Sequence, residues 1–311
     1  MGGKKWSGNR LKSVFFVLLL LFASYILADA QIAEKKEDTG SYWPFAAYNF
    51  GSLGKSSPEA QINLLKSTGY NGIILSCETN EDFENLDKYN EKAVKIKDFK
   101  IVAVFERYNF TDSTSRQERW RQVVDKIAGK GTQLWIIFGK KTVGITDGFI
   151  EAKLREIVSY AAQKGVHVVL YPHSKCYIAT AEEALPFVEK IDHPNLKLAV
   201  HLCHEIRAGN GSRMAEIFDR VKERIGAVTL AGTDSIADFS NPRNMDSSTI
   251  KPLGQGNYPL DRFVWPMIES GFKGTVGFIN FKIEEKPENY LGASLKVWRN
   301  ISEIAKNKAE L

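Results

Sequence analysis

The stretch that decides the fold is Val169–Arg207, which reads VLYPHSKCYIATAEEALPFVEKIDHPNLKLAVHLCHEIR. It contains the end of one apolar, β-branched run, then the amphipathic segment Ala181–Ile191 and then a second apolar run at Lys197–Leu202. A strand, a helix and another strand of this kind form a parallel βαβ unit, whose strands are buried on both faces. The segment therefore predicts an α/β fold built on a parallel sheet.

The same alternation continues in both directions from this segment. Apolar runs predict eight strands, at Phe45–Asn49, Gly72–Ser76, Ile101–Glu106, Gln133–Phe138, Val166–Tyr171, Lys197–Leu202, Ala227–Ala231 and Thr275–Asn280. Amphipathic segments predict helices between them, at Pro58–Ser67, Arg116–Gly129, Phe149–Gly165, Ala181–Ile191, Gly211–Ile225 and Pro259–Gly271. Eight βα units favour a single closed (β/α)8 TIM barrel over an open, doubly wound sheet, which usually has fewer strands.

The first 30 residues have the pattern of an export signal. Basic residues precede an apolar run from Val14 to Leu27, and Ala28-Asp29-Ala30 forms a small-x-small cleavage pattern. We therefore predict a signal peptide at residues 1–30, a flexible polar linker at 31–40 and one barrel domain at 41–311. An uncleaved membrane anchor is the alternative, but the run is short for a span of about 20 residues. The mature protein is expected to be exported, either periplasmic or secreted, without a membrane contact after cleavage.

The charge of the chain argues against a nucleic-acid partner. The formal net charge is +5 over 311 residues. The predicted signal peptide carries four positive charges and one negative, so about +2 remains on the mature chain. No basic stripe is left that could follow a phosphate backbone.

Three cysteines, at positions 77, 176 and 203, are too few for a disulfide framework. Their spacing also matches no zinc-binding pattern such as C-x-x-C. We interpret them as small buried residues, and whether Cys176 and Cys203 pair stays open.

Three of the five histidines fall where strands of the predicted barrel end, which is where TIM barrels carry their active sites. His173 follows the fifth strand, and His201 and His204 lie at the end of the sixth. Strand alternation directs Tyr171 and His201 toward the barrel mouth. Neighbouring imidazoles ligate a divalent metal, act as acid and base near neutral pH or bind sugar hydroxyls. The alternative is a set of separate structural histidines at the rim.

Other polar residues at strand ends are weaker candidates. Glu106, at the end of the third strand, is either a pocket carboxylate or a salt-bridge partner of Arg107 or Lys140. Asn280 and Lys282, at the end of the eighth strand, are candidate substrate contacts.

The segment Val169–Arg207 resembles a branch of the xylose isomerase-like TIM-barrel superfamily, whose members are described as sugar phosphate isomerase/epimerase-like. Further stretches agree, namely Ala47–Gly72, Ile250–Gly256, Gly271–Gly274 and Ser294–Arg299. The resemblance covers essentially the whole predicted mature chain, and it is more specific for the fold than for the reaction.

Members of this family resemble one another in holding one divalent metal with Glu, Asp, His and Glu at the ends of strands five to eight. The metal polarises a carbonyl while carboxylates move a proton on the neighbouring carbon. Carried over residue by residue, these positions fall on Tyr171, on His201, near Thr229 and near Ile279. Only His201 among them is a metal ligand of the usual kind.

Two more histidines match the family pattern. His204 corresponds to a histidine three residues after the strand-six ligand, which usually contacts substrate, and His173 to a histidine common after strand five. A standard Mn²⁺ site needs oxygen ligands. We expect either one divalent metal (Mn, Zn or Co) held by His173, His201 and His204, with Glu205 or Asp234 as a further ligand, or no metal at all.

These features predict an exported isomerase, epimerase or lyase that acts on a sugar or keto-sugar by proton abstraction next to a carbonyl. His173 and His204 are the expected acid/base or ligand pair, with Glu106 as a further candidate base. The expected substrate contacts are His201, Tyr171, Asn280 and Lys282. The first alternative is a non-catalytic barrel that binds a sugar and has lost the family's metal site. The second is a nuclease on the same fold, which needs a multi-metal cluster; substrate identity and oligomeric state are not predicted.

Overall fold

Eight parallel strands close into a barrel in the computed structural model, which describes residues 43–309. The strands are Phe45–Tyr48 (β1), Gly72–Ser76 (β2), Lys100–Tyr108 (β3), Gln133–Phe138 (β4), Val168–Leu170 (β5), Leu196–His201 (β6), Ile225–Leu230 (β7) and Val276–Phe278 (β8). Each strand pairs in parallel with the next, and β8 closes the sheet on β1. The predicted single (β/α)8 barrel is confirmed, whereas the predicted signal peptide and linker lie outside the described residues.

Helices follow the strands along the chain. They are Pro58–Thr68 (α1), Asn80–Ala93 (α2), Thr114–Gln117 (α3), Arg119–Ile127 (α4), Asp147–Gln163 (α5), Ala181–Ile191 (α6), Leu202–Arg207 (α7), Met214–Val221 (α8), Pro242–Thr249 (α9), Asp261–Glu269 (α10) and Pro287–Ala309 (α11). Short 3₁₀ turns lie at Leu53–Lys55 and Lys222–Arg224. No helix between residues 43 and 309 is long and apolar enough to cross a membrane.

The core is formed by the strands and the helix faces packed on them. Every residue of β1, β2, β5 and β8 is buried, as expected for parallel strands covered on both faces. An aromatic contact joins the first strand to the last helix. Phe45 in β1 stacks on Trp298 in α11, with 4.8 Å between the ring centroids. The Trp298 indole also donates to the Trp43 carbonyl at 3.1 Å. These contacts stabilise closure of the barrel between β1 and β8.

The junction of β6 and α7 positions the candidate site. His201 ends β6 and is also the N-cap residue of α7, so no loop separates the strand from the helix. Glu205 fixes α7 in place, since its carboxylate accepts from the Ala181 amide at 2.8 Å and from Asn210 Nδ2 at 2.7 Å. The first turn of α7 is therefore held rigidly over the C-terminal end of the barrel.

Candidate functional site

A cavity of about 230 Å³ opens at the C-terminal ends of the strands, where TIM barrels carry out their chemistry. Its volume lies just below the range of about 300–1,000 Å³ that is usual for small-molecule pockets, so it suits a small ligand. Aromatic side chains line one part of its wall, namely Tyr48, Phe50, Phe105, Tyr171 and Phe281. Three histidines and two arginines line another part, namely His173, His201, His204, Arg107 and Arg207.

The three predicted histidines converge on this cavity. The His204 ring lies between the other two, with centroids 4.2 Å from His173 and 4.1 Å from His201. His201 and His204 are buried, while His173 is half-buried. The rings therefore form one continuous cluster and are not separate rim histidines.

A cysteine belongs to the same cluster. The Cys203 Sγ lies 3.6 Å from His201 Nε2 and 3.6 Å from His204 Nδ1. The possible ligand atoms of these three residues all lie within 4.8 Å of one another, which is a spacing that can hold a metal ion. Sequence reasoning treated Cys203 only as a small buried residue, although the pattern His-x-Cys-His at a strand end was a visible signal.

Burial keeps the histidines neutral. Desolvation is the main cause that lowers the pKa of His173 to about 4, and the nearby Arg107 guanidinium lowers it further. Desolvation likewise holds the pKa values of His201 and His204 well below the usual range of histidine, with neighbouring imidazoles adding to the effect. At neutral pH each ring therefore has one nitrogen lone pair available.

The two arginines of the cavity wall are each paired with a carboxylate. Arg107 binds Glu78, and its Nη1 also donates to the Cys176 Sγ at 3.0 Å. Arg207, in α7, donates to Asp246 Oδ1 in α9 at 2.9 Å. Each pair leaves further guanidinium N–H groups near the cavity.

Tyr171 lies on the apolar side of the cavity. Its hydroxyl is 2.8 Å from the Tyr48 hydroxyl and 3.4 Å from Thr229 Oγ1, and its ring stacks on Trp135 at 5.3 Å. Desolvation raises the pKa of Tyr171 above its ordinary value, so the phenol stays protonated.

The oxygen-ligated metal that the resemblance implies does not fit these residues. Tyr171 and Thr229 offer hydroxyls that are engaged with each other, and Ile279 offers no donor atom. Mn²⁺ and Mg²⁺ require several carboxylate or carbonyl oxygens. Any metal in this cavity has to be held by a different set of donors.

Glu106 does not face the cavity, contrary to the expectation of a pocket carboxylate. It pairs with Arg116 and with Arg119, whose Nη2 lies 3.3 Å away, and neither Arg107 nor Lys140 is its partner. The reason is strand alternation: Phe105 and Arg107 point into the cavity, and the residue between them points to the helices. Desolvation raises the pKa of Glu106 to about 7, against the effect of both arginines.

The two candidates after β8 are also displaced from the cavity wall. The Asn280 amide donates to the Phe50 carbonyl at 3.1 Å and to the Tyr290 hydroxyl at 2.9 Å, so it ties the barrel rim together. Lys282 lies farther out and donates to Asp246 Oδ2 at 2.9 Å. Asp246 therefore accepts hydrogen bonds from two cationic side chains, Arg207 on the cavity side and Lys282 on the outer side.

All three cysteines are buried and free, so Cys176 and Cys203 do not form a disulfide. Cys176 contacts a different histidine from Cys203, since its Sγ lies 3.6 Å from His173 Nδ1.

Several solved structures have a similar fold. The IOLI protein with a binding zinc atom matches at TM-score 0.67 and 18% identity, over 84% of this chain and 99% of that chain. The 3-keto-D-glucoside 4-epimerase of E. coli matches at 0.63 and 15%, over 83% and 99%. The probable 3-DHS dehydratase of Bacillus anthracis matches at 0.60 and 15%, over 82% and 98%. At these identities the likeness establishes the fold and no more.

The amino-acid sequence was also compared with curated proteins and with family models. No curated protein matches it. Residues 145–301, just over half of the 311 residues, match the model described as xylose isomerase-like TIM barrel. The chain therefore belongs to the xylose isomerase-like TIM barrel family.

Proposed function

We propose that this barrel is a carbohydrate-active isomerase, epimerase or lyase that moves a proton next to the carbonyl of a small sugar or keto-sugar. The observation that carries the proposal is the row of three neutral imidazoles on the wall of a small cavity. Solved structures of similar fold include an L-ribulose 3-epimerase and a 3-keto-D-glucoside 4-epimerase, and both names imply inversion of a carbon in a carbonyl sugar.

His173 is the residue to which we assign the base. Its Nδ1 lies 2.9 Å from the Ser174 carbonyl oxygen, which can only accept a hydrogen bond. The proton of the neutral ring is therefore on Nδ1, and Nε2 carries the lone pair. A base must present a lone pair to the proton it removes, and Nε2 of this half-buried ring meets that requirement.

His204 is assigned as the hydrogen-bond donor to the carbonyl oxygen. Its Nδ1 faces the Cys203 thiol, which can donate to it, and we assign the proton of the neutral ring to the opposite nitrogen, Nε2. When His173 removes a proton from the adjacent carbon, the C–H electron pair moves into a new C=C bond and negative charge develops on the oxygen. A donor aimed at that oxygen stabilises the charge as it forms.

The wall of the cavity suits a sugar in two further ways. Phe50 and Phe105 meet edge to face at 5.5 Å and present apolar surface on which a sugar ring can lie. Arg107 and Arg207 present guanidinium N–H groups that can donate hydrogen bonds to sugar hydroxyls. Each guanidinium is already paired with a carboxylate. The arginines therefore do not require an anionic ligand, and a neutral sugar can bind beside them.

Solvent exchange tests the proposal. The protein is incubated in D₂O with small sugars and keto-sugars, and deuterium incorporation next to the carbonyl is followed by NMR. Wild-type protein is expected to catalyse exchange on at least one of them, and His173→Ala to abolish it. His167→Ala is the matched control, since this exposed histidine lies at the opposite end of the barrel. Exchange that survives in His173→Ala would remove His173 from the role of base.

A non-catalytic sugar-binding barrel is the second candidate. It is favoured by the loss of the family's usual ligands, whose positions are occupied here by Tyr171, by His201 and, approximately, by Thr229 and Ile279. In this case sugars bind to the wild-type protein without any deuterium exchange.

We further propose that the protein acts outside the cytosol, because residues 1–30 have the pattern of a cleaved export signal.

A further inference from the structure

One cluster in the barrel mouth combines a thiol with two imidazoles. His201, Cys203 and His204 are 2%, 1% and 4% exposed, and all three line the cavity. They come from the last residue of β6 and the first turn of α7, which Glu205 anchors to the α6 N-terminus. The cluster is therefore rigid, and it opens on one side toward the cavity.

The spacing of its donor atoms matches that of a tetrahedral metal site. With Zn–S at about 2.3 Å and Zn–N at about 2.0–2.1 Å, a sulfur and a nitrogen on one tetrahedral ion are about 3.6 Å apart. The two distances from Cys203 Sγ, to His201 Nε2 and to His204 Nδ1, are both 3.6 Å. One ion can therefore contact all three atoms with little movement of the side chains.

The His201 ring is also not committed to a structural hydrogen bond. Its buried Nδ1 has no partner within residues 43–309. By contrast, His193, in a turn at the other end of the barrel, accepts from the Asn195 amide at 3.1 Å. Histidines retained only for structure usually have their buried nitrogens satisfied. No structural hydrogen bond therefore holds this ring, and Nε2, the nitrogen that faces the Cys203 thiol, can act as a ligand.

We propose that His201, Cys203 and His204 bind one soft divalent metal ion, for which zinc is the best candidate, with a thiolate in place of the family's carboxylates. Thiolate and imidazole donors favour zinc over Mn²⁺ and Mg²⁺, which need oxygen ligands. Binding releases the thiol proton to solvent as the S–Zn bond forms. The fourth position faces the cavity, which leaves it to a water or to a ligand oxygen, as in zinc sites with three protein ligands.

The site does not depend on the proposed sugar chemistry. His173, the assigned base, is not one of the three ligands. His204 is common to both proposals, but through different atoms, with Nδ1 toward the metal and Nε2 toward the sugar. Metal binding is measured without a sugar, so failure of one proposal leaves the other standing.

Cobalt titration of chelator-treated protein tests the metal site. Co²⁺ substitutes for zinc and absorbs in the near ultraviolet when a thiolate is bound. We expect wild-type protein to bind one equivalent, with this absorption, and zinc to displace it. The Cys203→Ser variant should lose the thiolate absorption, and His201→Ala should weaken binding at least tenfold.

Cys176→Ser is the matched control, because this thiol is likewise buried and likewise lies 3.6 Å from a histidine nitrogen. Its thiolate absorption should be unchanged. If the absorption persists in Cys203→Ser, or is absent from folded wild-type protein, the proposal is overturned. X-ray absorption on zinc-loaded wild-type protein gives a test that needs no variant: one sulfur at about 2.3 Å is expected, and a shell of nitrogen and oxygen alone contradicts it.

Discussion

His201 and His204 lie with their ring centroids 4.1 Å apart, although one residue ends a strand and the other belongs to the following helix. The two rings meet because α7 starts at His201 without an intervening loop. This junction brings the predicted histidines together and adds Cys203 to them.

Replacement of His204 by alanine should weaken ligand binding far more than it weakens the fold. The ring contacts the other two histidines and the cavity, and its neutral nitrogens are not part of a structural network of caps or strands. We expect at least a tenfold loss of sugar affinity, which is about 1.4 kcal/mol. The Tm should fall by no more than about 4 °C, corresponding to about 1 kcal/mol.

Phe45→Ala provides the comparison for that measurement. This fully buried β1 side chain stacks on Trp298, and its removal should cost about 3–5 kcal/mol. Should His204→Ala prove as destabilising as Phe45→Ala, the histidine would be a structural residue.

The stability of the metal-free protein should fall as the pH drops from about 6.5 to about 4. Because burial lowers the pKa values of the three cavity histidines in the folded state, the unfolded chain binds more protons over this range. Each such histidine makes the free energy of unfolding fall by up to about 1.4 kcal/mol for each pH unit below its unfolded-state pKa. Urea unfolding at several pH values measures the slope.

The His204→Asn variant isolates the contribution of one histidine to that slope. It should lower the pH slope of the free energy of unfolding by the contribution of about one proton. Glu106, whose pKa is raised to about 7, contributes with the opposite sign, but this contribution is common to wild-type and variant and cancels in their difference. Equal slopes for wild-type and His204→Asn would show that His204 is not held neutral by the fold.

Glu106→Gln should reduce stability and leave ligand binding unchanged. The carboxylate is buried between Arg116 and Arg119, and above its pKa of about 7 its loss leaves two guanidinium groups without their counter-charge. Breaking a buried pair in this way costs about 3–5 kcal/mol. Urea unfolding and sugar titration of the same variant check both parts, and a large loss of affinity in a stable variant would place Glu106 in the site after all.

The export proposal predicts a specific mature N-terminus. When the full chain is expressed in a secreting host with its own leader, the protein recovered outside the cytosol should begin at Gln31. Intact-mass measurement of the secreted protein decides the point. Retention of residues 1–30 on membrane-bound protein would instead support the anchor alternative.

The strands of the barrel could be predicted from the sequence because buried parallel strands are continuous apolar runs. Gln133–Phe138 and Ala181–Ile191 have the predicted bounds, since the apolar run stops before Gly139 and the amphipathic helix stops before Asp192. Convergence of His173, His201 and His204 was predictable for a related reason: carboxyl ends of neighbouring parallel strands meet at one edge.

Helices with little apolar pattern were missed. The α2 segment Asn80–Ala93 is strongly polar, and its main signal is a capping box in which Thr79 and Asp82 exchange hydrogen bonds. The short α9 segment Pro242–Thr249 was missed as well, and with it the contact between Asp246 and Arg207.

Side-chain direction at the strand ends was the other weak point. The prediction ended the third strand at Glu106, whereas β3 continues to Tyr108, and alternation along it directs Arg107 and not Glu106 into the cavity. Cys203 is buried, as predicted, but its contact with two imidazoles was missed, because it depends on the immediate start of α7 after His201. Such geometry depends on a backbone junction that residue patterns do not reveal.

The central claim is that His173 is a neutral base whose Nε2 faces the ligand. Long-range ¹H–¹⁵N NMR of labelled protein reports the protonation state and tautomer of each histidine directly. At pH 7 we predict that His173 is neutral, with its proton on Nδ1, and that the Nε2 signal shifts when a sugar binds. A His173 ring that is doubly protonated at pH 7, or that carries its proton on Nε2, would contradict the account.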